Sequence, residues 1–398
     1  MRWIAALVLG LFAGIATSSP TSVKIYFDAD RTSHLASALS IEQGVKVALQ
    51  ERGNTLSGVP VEFVELDHRG NAARSKKNMA QFASDPQALV LIGGLHSPPL
   101  IKYREYINQS KILTLVPWAA GGPITRYPSP DNYVFRLSVD DTKVGRKLVE
   151  FALDRGCNTP HLLLEQTPWG KSNHRNMLDA LPDELKDVTE VTWFNWGLTD
   201  AKARLIASNA LKQQAECVLM VANAVEGAEI VKAFSGLQQQ LPIYSHWGIT
   251  GGNFQNNVDF DTRERAQLHF IQSCFNFYSS QETELSKAVL AEAMLMFPDN
   301  ITSKAIAAPA GFVHGYDLAR LLIKAADQIT LQDDSEINRM ALKHALENIN
   351  SPVQGLIKEY HAPFTQFTEA NIDAHEALDA SDLCMARYDQ NNAIQLIE

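Results

Sequence analysis

Along the first two-thirds of the chain, short apolar runs of strand length alternate with stretches whose apolar residues recur every three or four positions. Runs at 23–27, 61–66, 88–92 and 112–116 read as strands, the second entered through Pro60. Between them, 40–51 sets Ile41, Val45, Ala48 and Leu49 on one helical face, and 72–83 and 100–108 have similar spacing. Such a βα series predicts a parallel sheet with helices on both faces. A short strand at 132–137, between Pro130 and the polar Asp140-Asp141-Thr142, breaks the rhythm. A second series follows, with helices at 142–154, 171–181, 200–213 and 225–234 and strands at 161–165, 188–194, 217–222 and 242–245. The predicted fold class is α/β, with two doubly wound parallel-sheet lobes.

Beyond residue 251 a Gly/Asn-rich link leads to an apolar strand at 267–277, expected to cross back to the first lobe. Helices follow at 282–297, 310–328 and 336–348, then short strands at 356–365 and 383–398 around a helix at 371–378. On this pattern lobe 1 comprises 19–135 plus about 252–330, and lobe 2 comprises 136–251 plus about 331–398, joined by a multi-strand hinge. Lobes hinged in this way close around a small ligand.

The stretch with most chemistry lies in the first series. Gly93 and Gly94 allow a tight turn after the strand at 88–92, Ser97 is a favoured helix N-cap, and Pro98 suits the first helical position. The strand at 112–116 runs into Pro117-Trp118-Ala119-Ala120-Gly121-Gly122-Pro123, a loop of small residues with one large aromatic. Both loops fall at the carboxyl ends of parallel strands, where doubly wound folds bind ligands.

Charge and composition narrow the partners. Arg2, an apolar run at 4–15 and the small residues Ala16-Thr17-Ser18 form a secretory signal, 1–18, that predicts export to the periplasm. No run reaches the roughly 20 apolar residues of a transmembrane helix, so no membrane insertion is expected. Without Arg2 the chain carries 34 basic against 45 acidic residues and has no basic cluster, which argues against nucleic-acid partners. The cysteines Cys157, Cys217, Cys274 and Cys384 fit an oxidising compartment, and none has CxxC spacing. Cys157 and Cys217 could meet if their strands are neighbours; the pairing stays open.

Catalytic motifs fail one by one. Ser97 follows a strand, but the nucleophile elbow needs glycine where Pro99 stands. Gly170-Lys171-Ser172 ends like a P-loop, but Glu165 occupies the position of its first glycine. The histidines lack metalloprotease spacing, so no enzyme activity, cofactor or metal is expected.

Six segments in order carry a resemblance: Ser40-Ile-Glu-Gln-Gly-Val-Lys-Val-Ala48, Ile92-Gly-Gly-Leu-His-Ser97, Pro117-Trp-Ala-Ala-Gly121, Val134-Phe-Arg-Leu-Ser138, Pro168-Trp-Gly170 and Gly315-Tyr-Asp-Leu-Ala319. Together they resemble the type I periplasmic binding proteins, most closely the branched-chain amino-acid (Leu/Ile/Val) substrate-binding proteins of ABC transporters. The resemblance implies that Ser97 and the backbone of Trp118, Ala119 and Ala120 hold a ligand carboxylate, with Trp169 contributing from the second lobe; Asn223 sits where second-lobe contacts arise, with turn formation an equal explanation. Pro98 and Pro99 remove N–H donors there, and the family's hydroxyl residue is missing from Ala119-Ala120-Gly121. The acid that would bind an ammonium group should fall near His246 and Trp247, where the sequence has none. Trp118, Trp169 and Trp247, with His96 and His246, point instead to a flatter or less charged solute, a small organic acid or amide. His96 has the alternative role of bonding a neighbouring loop, and Trp193 and Trp196 read as structural. The implied function is solute capture by lobe closure and delivery to an ABC-transporter permease. The alternative is a receptor subunit signalling to a membrane kinase, cyclase or chemoreceptor.

Overall fold

The computed structural model describes residues 20–278, 282–302 and 306–397, and the export signal expected at 1–18 lies outside the described residues. The first lobe opens with β1 (Val23–Ala29), α1 (Leu35–Gln50), the antiparallel pair β2 (Thr55–Leu56) and β3 (Val59–Asp67), α2 (Ala72–Ser84), β4 (Ala88–Gly93), α3 (Ser97–Gln109), β5 (Thr114–Val116) and β6 (Val134–Arg136). These strands form a sheet in the order β2-β3-β1-β4-β5-β6, parallel from β3 onward. Every residue of β4 is buried, as a central strand covered on both faces requires.

The second lobe follows with α4 (Asp141–Asp154), β7 (Pro160–Glu165), α5 (Pro168–Ala180), α6 (Asp183–Lys186), β8 (Glu190–Phe194), α7 (Asp200–Lys212), β9 (Cys217–Val221), α8 (Ala224–Ser235) and β10 (Ile243–Ser245). Short helices α9 (Phe254–Asn257) and α10 (Phe260–Arg265) lead into β11 (His269–Ser273). The chain returns to the first lobe through α11 (Glu284–Met296), α12 (Pro309–Ala326), α13 (Ser335–Leu346) and the hairpin β12 (Val353–Gln354) and β13 (Glu359–Tyr360). It then supplies β14 (Leu383–Tyr388) and β15 (Ile394–Ile397) to a second sheet, ordered β15-β14-β11-β10-β9-β7-β8.

Two expectations are corrected. The strand at 267–277 does not cross to the first lobe: β11 pairs parallel with β10 and antiparallel with β14, because the short α9–α10 connection returns the chain beside the strand it has just left. The stretch at 371–378 is not a helix but a strap along β6, the Arg136 N–H donating to the His375 carbonyl at 2.9 Å and the Ala377 N–H to the Arg136 carbonyl at 3.0 Å. Backbone groups committed to a neighbouring strand cannot also close helical turns.

Helices α1 and α12 cross very closely. A Cβ added at Gly44 would overlap the backbone of Phe312, and one at Gly315 would overlap the backbone of Ile41, so each helix needs a glycine at the crossing. Among the described residues, no helix is long and apolar enough to cross a membrane.

The crossing from β6 to α4 is held by buried charge. The fully buried Arg136 guanidinium donates to the Gly121 carbonyl at 2.8 Å and to Thr125 Oγ1 at 3.1 Å, and pairs with Glu376 on the strap. Lys143 joins Asp140, Asp373 and Glu376, while Arg126 joins Asp140 and Asp373. Disulfides add covalent ties. Cys157–Cys217 forms where β7 and β9 lie side by side, and Cys274–Cys384 fastens the end of β11 to β14.

Candidate functional site

In each lobe the strand order reverses once beside the first strand laid down, between β1 and β4 in the first sheet and between β7 and β9 in the second. Loops leaving neighbouring strands in opposite directions open a crevice at such a point. Asp30, His34 and His96 lie at the first reversal, and Glu165 and Asn223 at the second. A cavity of about 270 Å³ separates the two loop sets.

Seven of the nine residues singled out in the sequence line it: His96, Ser97, Trp118 and Ala120 from the first lobe, and Trp169, Asn223 and Trp247 from the second-lobe side. Ala119 and His246 are buried but are not part of the lining. Glu165, Leu95, Pro98 and Gly248 complete the wall. A second cavity, of about 440 Å³ near Phe275, Phe277 and Val313, is lined among the described residues by no ionisable side chain except the phenols of Tyr278 and Tyr388. The convergence of polar groups from both lobes favours the smaller one as the site.

Ser97 is not the N-cap of α3. His96 takes that position without a side-chain capping bond, and Ser97 is the first helical residue. The Ser97 hydroxyl instead accepts the Gly121 N–H at 3.1 Å, tying together the two loops of the first-lobe wall. Trp118 is fully buried and its indole N–H has no partner, a state that costs about 1–3 kcal/mol unless an acceptor arrives. Trp169 comes close to the Gly248 turn, where a Cβ would sit 2.8 Å from its ring, and its N–H donates to Asp141 at 3.1 Å.

The absence of an acid near His246 is overturned. Asp141, the first residue of α4, is fully buried, and its Oδ1 lies 3.3 Å from His246 Nε2 while accepting from Trp169 and from Asn173 at 2.8 Å. Its Oδ2 has no partner. Asp141 and His246 are 105 positions apart, so only the topology brings them together. Glu165 was missed as well. It ends β7, lines the cavity and accepts the Asn223 amide at 3.1 Å. Burial pushes its carboxyl up to about 7, with Glu226 adding to the rise and a Trp196 hydrogen bond and His34 opposing it. Its position as the last residue of a strand at the order reversal was the signal available.

Trp196, read as structural, is 38% exposed and lies over the His96 ring with centroids 5.1 Å apart, one lobe touching the other. Burial lowers the pKa of His96 against the pull of Asp30. Among the described residues, two carboxylate-containing clusters have metal-like spacing, Asp30 with His34 and His96, and Asp140 with Asp373 and Glu376. The second is already neutralised by Arg126, Arg136 and Lys143.

A family model described as periplasmic binding protein matches residues 22–370. No curated protein sequence matches the chain. Among solved structures, a solute-binding protein of an ABC transporter from R. palustris, in complex with benzoate, has a TM-score of 0.76 at 14% identity, covering 94% of this chain and 95% of that one. A leucine-binding protein, LivK, from Thermotoga maritima gives 0.72 at 16% identity, with 94% and 98% covered. A fatty acid ABC transporter substrate-binding protein from Thermomonospora curvata gives 0.72 at 14% identity, with 95% and 92% covered. At these identities the likeness to each structure is one of fold.

Proposed function

The chain belongs to the periplasmic binding protein family, and from that premise we propose that it captures a small organic acid or amide between its lobes and presents the closed form to an ABC-transporter permease. The observation that carries the ligand class is the cavity wall itself. It is lined by Trp118, whose buried indole N–H has no partner, by Ser97 and the Glu165–Asn223 pair, and by Trp169 and Trp247.

An unpaired buried donor favours a ligand acceptor, such as a carboxylate or carbonyl oxygen. Glu165, titrating near neutrality, donates a hydrogen bond to such an oxygen when protonated. Indole walls favour a flat solute. The benzoate held by one solved structure of this fold is a solute of that kind, and the leucine for which another is named is not.

Closure needs no covalent step. A ligand that touches both lobes stabilises the closed arrangement by the difference in its affinity for the closed and open states. Thermal unfolding against a panel of small aromatic acids, aliphatic acids, amides and amino acids tests the ligand class. The proposal expects the largest upward shift with a flat acid or amide. A shift confined to leucine, isoleucine or valine rejects it.

A further inference from the structure

We propose that Asp30, His34 and His96 form a binding site for a divalent transition-metal ion of the zinc class, at the first-lobe edge of the cleft. Asp30 Oδ2 lies 3.2 Å from His34 Nδ1 and 3.3 Å from His96 Nε2, and the three ligand atoms are within 4.8 Å of one another. Ligands bonded at about 2.0–2.1 Å to a tetrahedral ion sit about 3.3 Å apart, the spacing of the two pairs that Asp30 makes with the histidines. A charge-assisted hydrogen bond between imidazole and carboxylate is shorter, about 2.7–2.9 Å. Two contacts of this length converging on one oxygen match the spacing of ligands around a shared ion.

The surroundings are built for this arrangement. All three side chains are buried. His34 and His96 occupy the N-cap positions of α1 and α3, where a side chain normally accepts a helix N–H, yet neither caps. Both rings turn to Asp30 instead. The other oxygen of Asp30 accepts the backbone N–H groups of Thr32 at 3.1 Å and Ser33 at 2.8 Å, which fixes the carboxylate as second-shell bonds fix metal ligands. The nearby His68 is excluded from the donor set at Nδ1, which accepts the Gly70 N–H at 3.1 Å.

The choice of ion follows from the chemistry. Imidazole donors form stronger coordination bonds to zinc, nickel or copper than to magnesium or calcium. Three protein ligands leave a coordination position open. Spacing along the sequence gave no sign of a metal because the third ligand, His96, comes 62 positions after His34, and only the adjacency of β1 and β4 joins them.

Calorimetric titration of the chelator-treated full chain with zinc chloride alone, with no solute present, tests the site independently of solute capture. The expected result is one ion per chain, with affinity reduced at least tenfold in His34→Ala and in His96→Ala and unchanged in His361→Ala, which removes an exposed histidine. Absence of binding, or binding that follows His361 and ignores His34 and His96, overturns the proposal. Should the buried variants fail to fold, the visible spectrum of the cobalt(II)-loaded unmodified protein decides. A tetrahedral spectrum supports the site, and an octahedral one rejects it.

Discussion

Asn223 donates its amide to Glu165 at 3.1 Å, joining the ends of the two strands between which the second sheet reverses its order. The pair places a carboxyl that titrates near neutrality in the wall of the cleft. Its pH behaviour is therefore the first expectation. A carboxyl raised from 4.5 to about 7 binds its proton more tightly in the folded state. Stability is then greatest below the unfolded pKa, falls as pH rises through the window between the two values, and levels off above about 7. The full fall is about 3 kcal/mol by linkage. Urea unfolding of the wild type and Glu165→Gln between pH 5 and 8 should show that fall in the wild type and its loss in the variant. Parallel pH profiles would contradict the assignment.

Trp118 bears on ligand affinity more than on stability. Trp118→Phe keeps an aromatic wall and removes only the buried unpartnered N–H. Solute affinity should drop by roughly tenfold, the loss of about one hydrogen bond of 1.4 kcal/mol. The apo protein should lose no stability from the missing donor, which has no partner to lose. Calorimetry with the solute found by the thermal panel checks the first, and urea unfolding the second. Unchanged affinity would remove Trp118 from the ligand's polar contacts.

Glu376 answers the Arg136 guanidinium in a fully buried setting at the β6–α4 crossing. Glu376→Ala leaves that cation without its direct carboxylate partner, which should cost about 3–5 kcal/mol of unfolding free energy. The same variant should weaken the strap's hold on β6, seen as faster hydrogen exchange at the amides of Arg136 and Ala377. A loss below about 1 kcal/mol would mean that Lys143, Asp140 and their neighbours carry the crossing alone.

Much of the fold was legible because it is local. Fully apolar runs such as 88–92 and face-spaced helices such as 40–51 each declare their element, and alternation declares the parallel sheets. The glycines of two recognised segments, Gly44 and Gly315, proved to mark one helix crossing. What sequence order did not carry was partnership at a distance. Asp141 beneath His246, Trp196 over His96 and Asp30 between two histidines all depend on which strands become neighbours. The strap at 371–378 has helical composition, yet β6 claims its backbone. The aromatic and small residues of the cleft could be found by their place after strands, and Glu165 by its place at a strand end, whereas Asp141 beside His246 could not.

The central claim, that the cleft between the lobes holds a small solute, is tested most directly by mass spectrometry of molecules released on denaturing the purified protein. The account predicts one small organic acid or amide, near one per chain, from the wild type, and its loss from a variant carrying Trp118→Ala and Trp169→Ala. A solute retained at full occupancy in that variant would place binding elsewhere and contradict the account.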